Sequence, residues 1–335
     1  MVIKTSKKEE TKRDVSPKFQ DIDISENTLR PKALGDYVGQ EQIKKHLQVS
    51  ISAAKIRKSP LEHILFYGPP GLGKTTLANI IANEMQANLK ISSGPAIERQ
   101  ADLISILSNI EEGDILFIDE IHRLKPQIEE ILYTAMEDFV IDIMVGKGTG
   151  AQSVRMPLKP FTLVGATTKL SSLSNPLRDR FGNVLKLDFY SDIDLFEIVK
   201  NNSKILQIDF LDDLINALAK RSRGTPRIAN RLLKILRDYS VIGKNINSKE
   251  VFEEIFKDLS IDEIGLDYLD KKYLNTLLKK FLGGPTGLGT LSSSIGEEEQ
   301  TLEDVVEPYL LQIGFIEKTP RGRKITHIGI LHLSK

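Results

Sequence analysis

The chain has no cysteine, only five histidines and no net charge. Without cysteine there is no disulfide and no thiolate-bound zinc, and a few scattered histidines make no structural metal site. No apolar run approaches the roughly 20 residues that a membrane-spanning helix needs. The first residues are rich in Lys and Glu and lack the apolar stretch of a secretory leader, so an intracellular, cytoplasmic protein is expected. Zero net charge favours no class of partner, and any contact with nucleic acid must come from local patches. What is present is ordinary for a globular protein: 40% hydrophobic and 27% charged residues. At 335 residues the chain is too long for one core, and two or three domains are expected.

The rest is organised around Gly68–Thr75, GPPGLGKT. A short apolar run, Ile64–Tyr67, precedes it and reads as a buried strand. Thr76–Ala82 follows with apolar residues at helical spacing. Strand, glycine-rich loop and helix in that order make a phosphate-binding loop. Gly71 and Gly73 let the backbone N–H groups wrap a phosphate, and the new helix adds the positive end of its dipole. Lys74 is a point charge for the outer phosphates, and the Thr75 hydroxyl is placed to hold Mg²⁺. The chain is expected to bind a nucleoside triphosphate.

Residues 1–24 are polar and of mixed charge and read as a mobile tail. Lys4, Lys7, Lys8, Lys12 and Arg13 are diluted there by Glu9, Glu10 and Asp14. A helix is predicted from about Gln40 to Arg57. Leu89–Ser92 reads as a second strand and Asp102–Ile110 as a helix. Asp114–Glu120, DILFIDE, is a continuous apolar run closed by two acids. Such runs suit central parallel strands, whose carboxyl ends form the ligand-binding edge. Asp119 is thus expected to orient Mg²⁺ through its water shell, and Glu120 to polarise the attacking water. Ile128–Glu137 reads as a helix. Ile141–Val145 and Ser153–Met156 flank glycines as a hairpin, its apolar side chains facing either the core or a partner. Phe161–Gly165 is a further buried strand, and a polar residue of Ala166-Thr167-Thr168 would lie between the strand tips and the γ-phosphate. Arg178 and Arg180 are read into the first turns of a helix after Ser174-Asn175-Pro176, against the preferred dipole polarity. That cost is met by an anionic partner or by solvent.

From Ser191 the pattern is helical: Ile193–Asn202, Leu211–Arg221, Arg227–Tyr239 and Lys249–Leu259. Thr225 and Pro226 read as N-cap and first helical residue, which lets Arg227 reach a phosphate on the neighbouring domain. Beyond about Asp262, helices Lys271–Phe281, Leu288–Ser294 and Leu302–Leu311 precede strands Gly314–Glu317 and Lys324–Thr326. A winged helix with a basic tip fits, contacting DNA or protein.

These motifs, taken in order, resemble the AAA+ ATPases and, more closely, the RuvB family of bacterial Holliday-junction branch-migration motors. The strings are LRPK at 29–32, DYVGQ at 36–40, GPPGLGKTTLANIIANE at 68–84, LFIDEIHRL at 116–124, AMEDF at 135–139, FTLVGATT at 161–168, NPLRDRFG at 175–182, RGTPRIANRLL at 223–233, EPYLLQIGF at 307–315 and TPRGR at 319–323. The resemblance implies an α/β fold: a P-loop AAA+ domain with a parallel sheet over 25–190, a small helical lid over 191–261 and a winged-helix head over 262–335. It implies ATP and Mg²⁺ as cofactors, with Leu29, Arg30 and Tyr190 framing the base. Gly71, Gly73, Lys74, Thr75 and Thr76 would hold the phosphates, with Glu137, Asp138 and Phe139 near the nucleotide. Asp119 and Glu120 keep their roles. Thr168 becomes sensor 1, Arg227 sensor 2, and Arg180 the finger that reaches a neighbour's γ-phosphate. Lys318, Arg321 and Arg323 would lie near DNA phosphates. Glu299 stands where many relatives carry a basic residue, and Lys318 where they carry Arg. The implied function is an ATP-driven homohexamer that pulls duplex DNA and migrates Holliday junctions in recombination, DNA repair and the SOS response. It would work with RuvA, docked on the 141–157 hairpin, and with RuvC. A different AAA+ remodeller, and a nucleotide-gated binding module without turnover, are the alternatives.

Overall fold

The computed structural model describes residues 28–145 and 152–334. The described residues up to Arg30 fall in a unit separate from the chain from Pro31 on, and residues 1–24, read as a tail, lie outside the described residues. Within Pro31–Lys335 the centre is a parallel sheet of β1 (Ile64–Tyr67), β2 (Leu89–Ser93), β3 (Ile115–Asp119), β6 (Thr162–Thr167) and β7 (Asn183–Lys186), in the order β2-β3-β6-β1-β7. The apolar runs are continuous because both faces are covered. Ile64, Phe66, Phe117 and Val164 pack with the helices Glu41–Arg57 and Lys74–Met85. Their strand neighbours Leu65, Leu116, Ile118 and Leu163 point the other way, to Leu103, Leu107, Ile128 and Leu132 of the helices Gln100–Ser108 and Pro126–Glu137.

The hairpin strands β4 (Val140–Val145) and β5 (Gln152–Pro157) pair antiparallel outside this sheet, with Val140 opposite Pro157. Its base packs inward through Ile141, with Ile143 and Met156 against the same core, while Val154 is exposed. Its glycine-rich turn lies outside the described residues.

Four helices follow: Asp192–Ile205, Asp212–Arg221, Pro226–Val241 and Lys249–Asp258. Their apolar faces extend the core of one sheet face through Leu195, Leu218, Leu232 and Phe252. Thr225 and Pro226 hold the N-cap and first helical positions of the third, as read, although the Thr225 hydroxyl donates to the Ser222 carbonyl at 3.0 Å and does not cap a helix N–H.

The head has its own core around Tyr273, Leu291, Leu302, Leu310 and Ile325. Its wing is β8 (Ile316–Thr319) and β9 (Gly322–Ile325). The strands run further into the turn than the sequence suggests, and Lys318 pairs with Arg323 and Thr319 with Gly322. Gly322, at φ 129°, allows this tight turn, and a Cβ there would meet the Thr286 carbonyl oxygen at 2.3 Å. A final helix, His327–Leu333, starts at Thr326, whose hydroxyl accepts the Gly329 N–H at 3.2 Å.

Candidate nucleotide site

Sheet order decides where chemistry can occur. β6 lies between β1 and β3, so the P-loop after β1 and the acids after β3 flank the end of β6. Parallel strands bring these three carboxyl ends to one edge. At Gly73 the backbone takes φ 99°, and a Cβ would lie 2.9 Å from the Tyr37 hydroxyl. Only glycine meets both demands. Lys74 opens the helix Lys74–Met85, and its ammonium donates to the carbonyls of Gly68 and Pro69, each at 2.8 Å. Thr75 and Thr76 follow in the first turn, half-buried.

Burial pulls the Lys74 ammonium down to about 8; Arg227 adds to this, while Asp119 and Glu120 oppose it. A bound phosphate favours the charged amine. Nucleotide affinity is therefore expected to fall about tenfold per pH unit above pH 8, with one proton taken up on binding. Calorimetry at pH 7 and pH 9, in buffers of different ionisation heat, checks this. Equal, near-zero uptake at both values would show that Lys74 is charged throughout.

Tyr190 and Tyr37 stand behind the loop. The Tyr190 hydroxyl donates to that of Tyr37 at 2.7 Å, and both lie 3.3 Å from the Leu72 carbonyl oxygen. Burial pushes Tyr190 up to about 12, so both phenols stay neutral donors. The Tyr190 N–H donates to Gly224 at 2.9 Å, which ties the lid to the same point. Arg227 lies on the loop itself: its N–H reaches the Gly71 carbonyl at 3.4 Å, and a Cβ on Gly71 would be 3.1 Å from that of Arg227. Leu29 and Arg30 belong to the separate N-terminal unit.

Asp119 ends β3, and its carboxylate accepts the Glu120 N–H at 2.9 Å. Glu120 adopts a left-handed backbone, φ 49°, and its half-exposed carboxylate lies 3.7 Å from Arg123. Thr168 follows the buried Thr167 at the tip of β6.

Arg180, Glu137, Asp138 and Phe139 are not brought to the loop. Asn183, three residues after Arg180, pairs with Ile64 at the amino end of β1, whereas Lys74 follows its carboxyl end. Arg180 there pairs with Glu137 at 2.7 Å. Phe139 packs edge-on to His63 and Phe161, also at the amino ends of their strands, with ring centres 6.3 and 5.9 Å away. The helix carrying the arginine pair is only Asn175–Asp179, so Arg178 sits in its last turn and Arg180 caps it. The expected conflict with the dipole is thus reversed: the cations lie at the end that favours them.

The wing also departs from expectation. Glu307 is fully buried and holds Arg323 at 2.7 Å and Lys318 at 2.8 Å, with the Tyr273 hydroxyl at 2.9 Å. Two cations directly opposite across a hairpin repel, and Glu307 neutralises them. Both cations are thereby engaged within the head, Arg323 more closely covered than Lys318. The Arg321 guanidinium, exposed in the turn, has no partner among the described residues.

Three contributors carry no local signal. Tyr37 meets Tyr190 across 153 positions. His122 lies 2.9 Å from the Thr167 hydroxyl, 45 positions on. Arg223 joins lid to head through the buried Asp270, at 2.9 and 3.2 Å. All three fall inside strings of the family, Tyr37 in DYVGQ, His122 in LFIDEIHRL and Arg223 in RGTPRIANRLL.

A third strand between the P-loop strand and the acidic strand, with an arginine of a helical lid seated on the loop, defines an AAA+ ATPase. Comparison with known proteins narrows this. Residues 29–187 match the Holliday junction DNA helicase RuvB P-loop domain, 190–262 the RuvB AAA lid domain, and 263–334 the RuvB C-terminal winged helix domain. The Holliday junction branch migration complex subunit RuvB of Staphylococcus saprophyticus is 54% identical over 311 residues, 92% of this chain and 93% of its own length. That of Dehalococcoides mccartyi is 52% identical over 328 residues, 97% and 94%. The structure of the Thermotoga maritima RuvB Holliday junction branch migration motor superposes with a TM-score of 0.83 at 47% identity, covering 92% of this chain and 98% of that one. The chain belongs to the RuvB family.

Proposed function

We propose that the chain is an ATP-driven hexameric ring motor that pulls duplex DNA and migrates Holliday junctions, together with RuvA and RuvC. The observation that carries this is the distance of Arg180 from its own P-loop. It stands at the opposite edge of the sheet, so a site containing both needs two chains. Heterologous contacts of that kind give a ring when the rotation between neighbours closes. The relatives' names, subunits of a Holliday junction branch migration complex, supply the substrate and the company. RuvA would dock on the 141–157 hairpin. Among the described residues no helix is long and apolar enough to cross a membrane, in keeping with work in the cytoplasm.

The donor set fits ATP with Mg²⁺. The Thr75 hydroxyl is a hard oxygen ligand and the Asp119 carboxylate an acceptor for the ion's bound water, and Mg²⁺ takes few protein ligands beside phosphates and water. Bound there, the ion would neutralise charge on the outer phosphates. Lys74 would leave the Gly68 and Pro69 carbonyls for the β- and γ-phosphates, with Gly71, Gly73 and Thr76 lining the cradle. Leu29, Arg30 and Tyr190 would frame the base. Glu120 would accept a proton from the attacking water, and Thr168 would hold that water in line. Arg180 of a neighbour would meet the charge developing on the transferred group, with Glu137, Asp138 and Phe139 beside it. Loss of the γ-phosphate would free Arg227 and let the lid rotate, carrying the head with it through Arg223 and Asp270.

DNA phosphates would meet the wing at Arg321, with Lys318 in a lesser part. Arg321→Ala is expected to weaken duplex binding a few-fold and to lower the salt slope by about 1, uniformly across sequences. Arg323→Ala is instead expected to loosen the head, because it strips the buried Glu307 of its closest cation. Titrations at several salt concentrations, beside melting curves, separate the two outcomes.

The function is tested by ATP-dependent conversion of a synthetic four-way junction, with and without RuvA. Conversion with ATP and none with ADP is expected. Hydrolysis without conversion, whatever partner is added, would leave an AAA+ ATPase of another kind.

A further inference from the structure

One contact outside the assigned residues joins two of the elements that would hold the attacking water. Thr167 is wholly buried at the end of β6, and its hydroxyl oxygen accepts the Lys169 N–H at 3.0 Å. The same oxygen lies 2.9 Å from Nδ1 of His122. A buried hydroxyl must place its own proton, and no other acceptor for it exists among the described residues. The proton therefore goes to Nδ1, and His122 is the neutral tautomer carrying its proton on Nε2. Burial keeps the imidazole below its ordinary value; Lys169 and Arg123 add to this, and Glu120 and Asp304 oppose it. The ring is an acceptor at neutral pH.

His122 sits two residues after Glu120, in the turn Ile121–Arg123, and Thr167 one residue before Thr168. The bond thus ties the turn after the acidic strand to the turn that presents Thr168. We infer that His122 is a positioning residue for hydrolysis, setting the spacing of Glu120 and Thr168 through the Thr167 hydroxyl. This rests on the reading in which those two residues hold the attacking water. The turn is also pinned from the far side, where Lys169 pairs with Asp304 of the head at 3.0 Å. The charged groups facing the ring are then Glu120 and Arg123 from its own turn, Lys169 from the end of β6 and Asp304 from the head.

The test compares ATP turnover and nucleotide affinity for wild type, H122A, H122N, T167V and H122A/T167V, with Glu120→Gln alongside. Small displacements of reacting groups cost about tenfold to a hundredfold in rate. H122A and T167V are each expected to lose that much in kcat, with affinity within about twofold, and the double variant to be no slower than either. In H122N the amide oxygen takes the place of Nδ1, so most of the rate returns. Wild-type kcat is expected to decline on the acid side as the ring protonates, below the ordinary histidine range, and H122N to lack that limb. Wild-type turnover by H122A, additive losses in the double variant, no recovery by H122N, or an unchanged acid limb would each overturn the inference. If Glu120→Gln turns over like wild type, the underlying reading of the site fails as well. If it is inactive while the His122 variants are normal, only the role of His122 fails.

Discussion

Arg180→Ala is expected to lower ATP turnover by about 10³-fold or more while leaving nucleotide affinity nearly unchanged, because a finger acting in trans contributes to the transition state and little to binding. The reason lies in strand direction. The residues before β7 and the residues after β1 are at opposite edges of one parallel sheet. Four residues of strand at about 3.3 Å each separate them, which no side chain spans back to its own loop. In the single chain the guanidinium rests against Glu137 at 2.7 Å, with both groups more than a third exposed. Such pairs contribute about 0–1 kcal/mol and release easily. Glu137→Gln is accordingly expected to change turnover far less than Arg180→Ala does. Single-turnover rates and equilibrium binding of a fluorescent nucleotide distinguish a lost finger from a lost site.

Asp270→Ala is expected to destabilise the junction of lid and head by at most about 3–5 kcal/mol, the cost of taking away a buried charge's closest partner, with Asp267 left 3.6 Å from the guanidinium. Arg223 is a left-handed residue, φ 55°, whose guanidinium enters the head. There it meets both Asp270 oxygens, the Val305 carbonyl at 3.3 Å and the face of Tyr309 at 4.8 Å. Burial pushes the Asp270 carboxyl up to about 7, with Arg223 pulling it down. Asp267 lies 3.6 Å from the same guanidinium and raises Asp270 further. Asp270→Asn keeps the shape and one acceptor and should cost less. A double replacement, Arg223→Met with Asp270→Leu, removes both charges and should recover much of the loss. Urea unfolding followed by circular dichroism measures all three. In the double variant, with the head folded but no longer ionically tied to the lid, the chain should still hydrolyse ATP but move DNA poorly.

The sequence made the nucleotide site legible where the chemistry is local. Gly71, Gly73 and Lys74 declare themselves because loop, strand and helix are consecutive, and Asp119-Glu120 because two acids end an apolar run. Arg227 was legible from Pro226, which fixes where its helix begins. The less legible parts depend on distances along the chain or on a count of one or two residues. β7 is a half-exposed edge strand of four residues, NVLK, too short to show a pattern. The wing turn is tighter than its basic residues suggest, and the pairing of Lys318 with Arg323 across it sets both beside Glu307, Arg323 largely covered and Lys318 still exposed. The arginine helix is one turn long, so Arg178 and Arg180 lie at its end. Tyr37 with Tyr190, and Arg223 with Asp270, are tertiary pairs that no periodicity announces.

If each site is completed by the next chain, two inactive variants restore one another when mixed. Arg180→Ala keeps the loop, Asp119 and Glu120 but lacks the finger; Glu120→Gln keeps the finger but lacks the group that activates water. Alone, each is expected to be nearly inert. Mixed in equal amounts and allowed to assemble on DNA, about one quarter of the interfaces join an intact loop and Glu120 to an intact Arg180. ATP turnover should then return, to at most about that fraction of the wild-type rate per chain. Mixed assemblies that form, as shown by co-purification of differently tagged chains, yet stay as inert as either parent would contradict a site shared between neighbours.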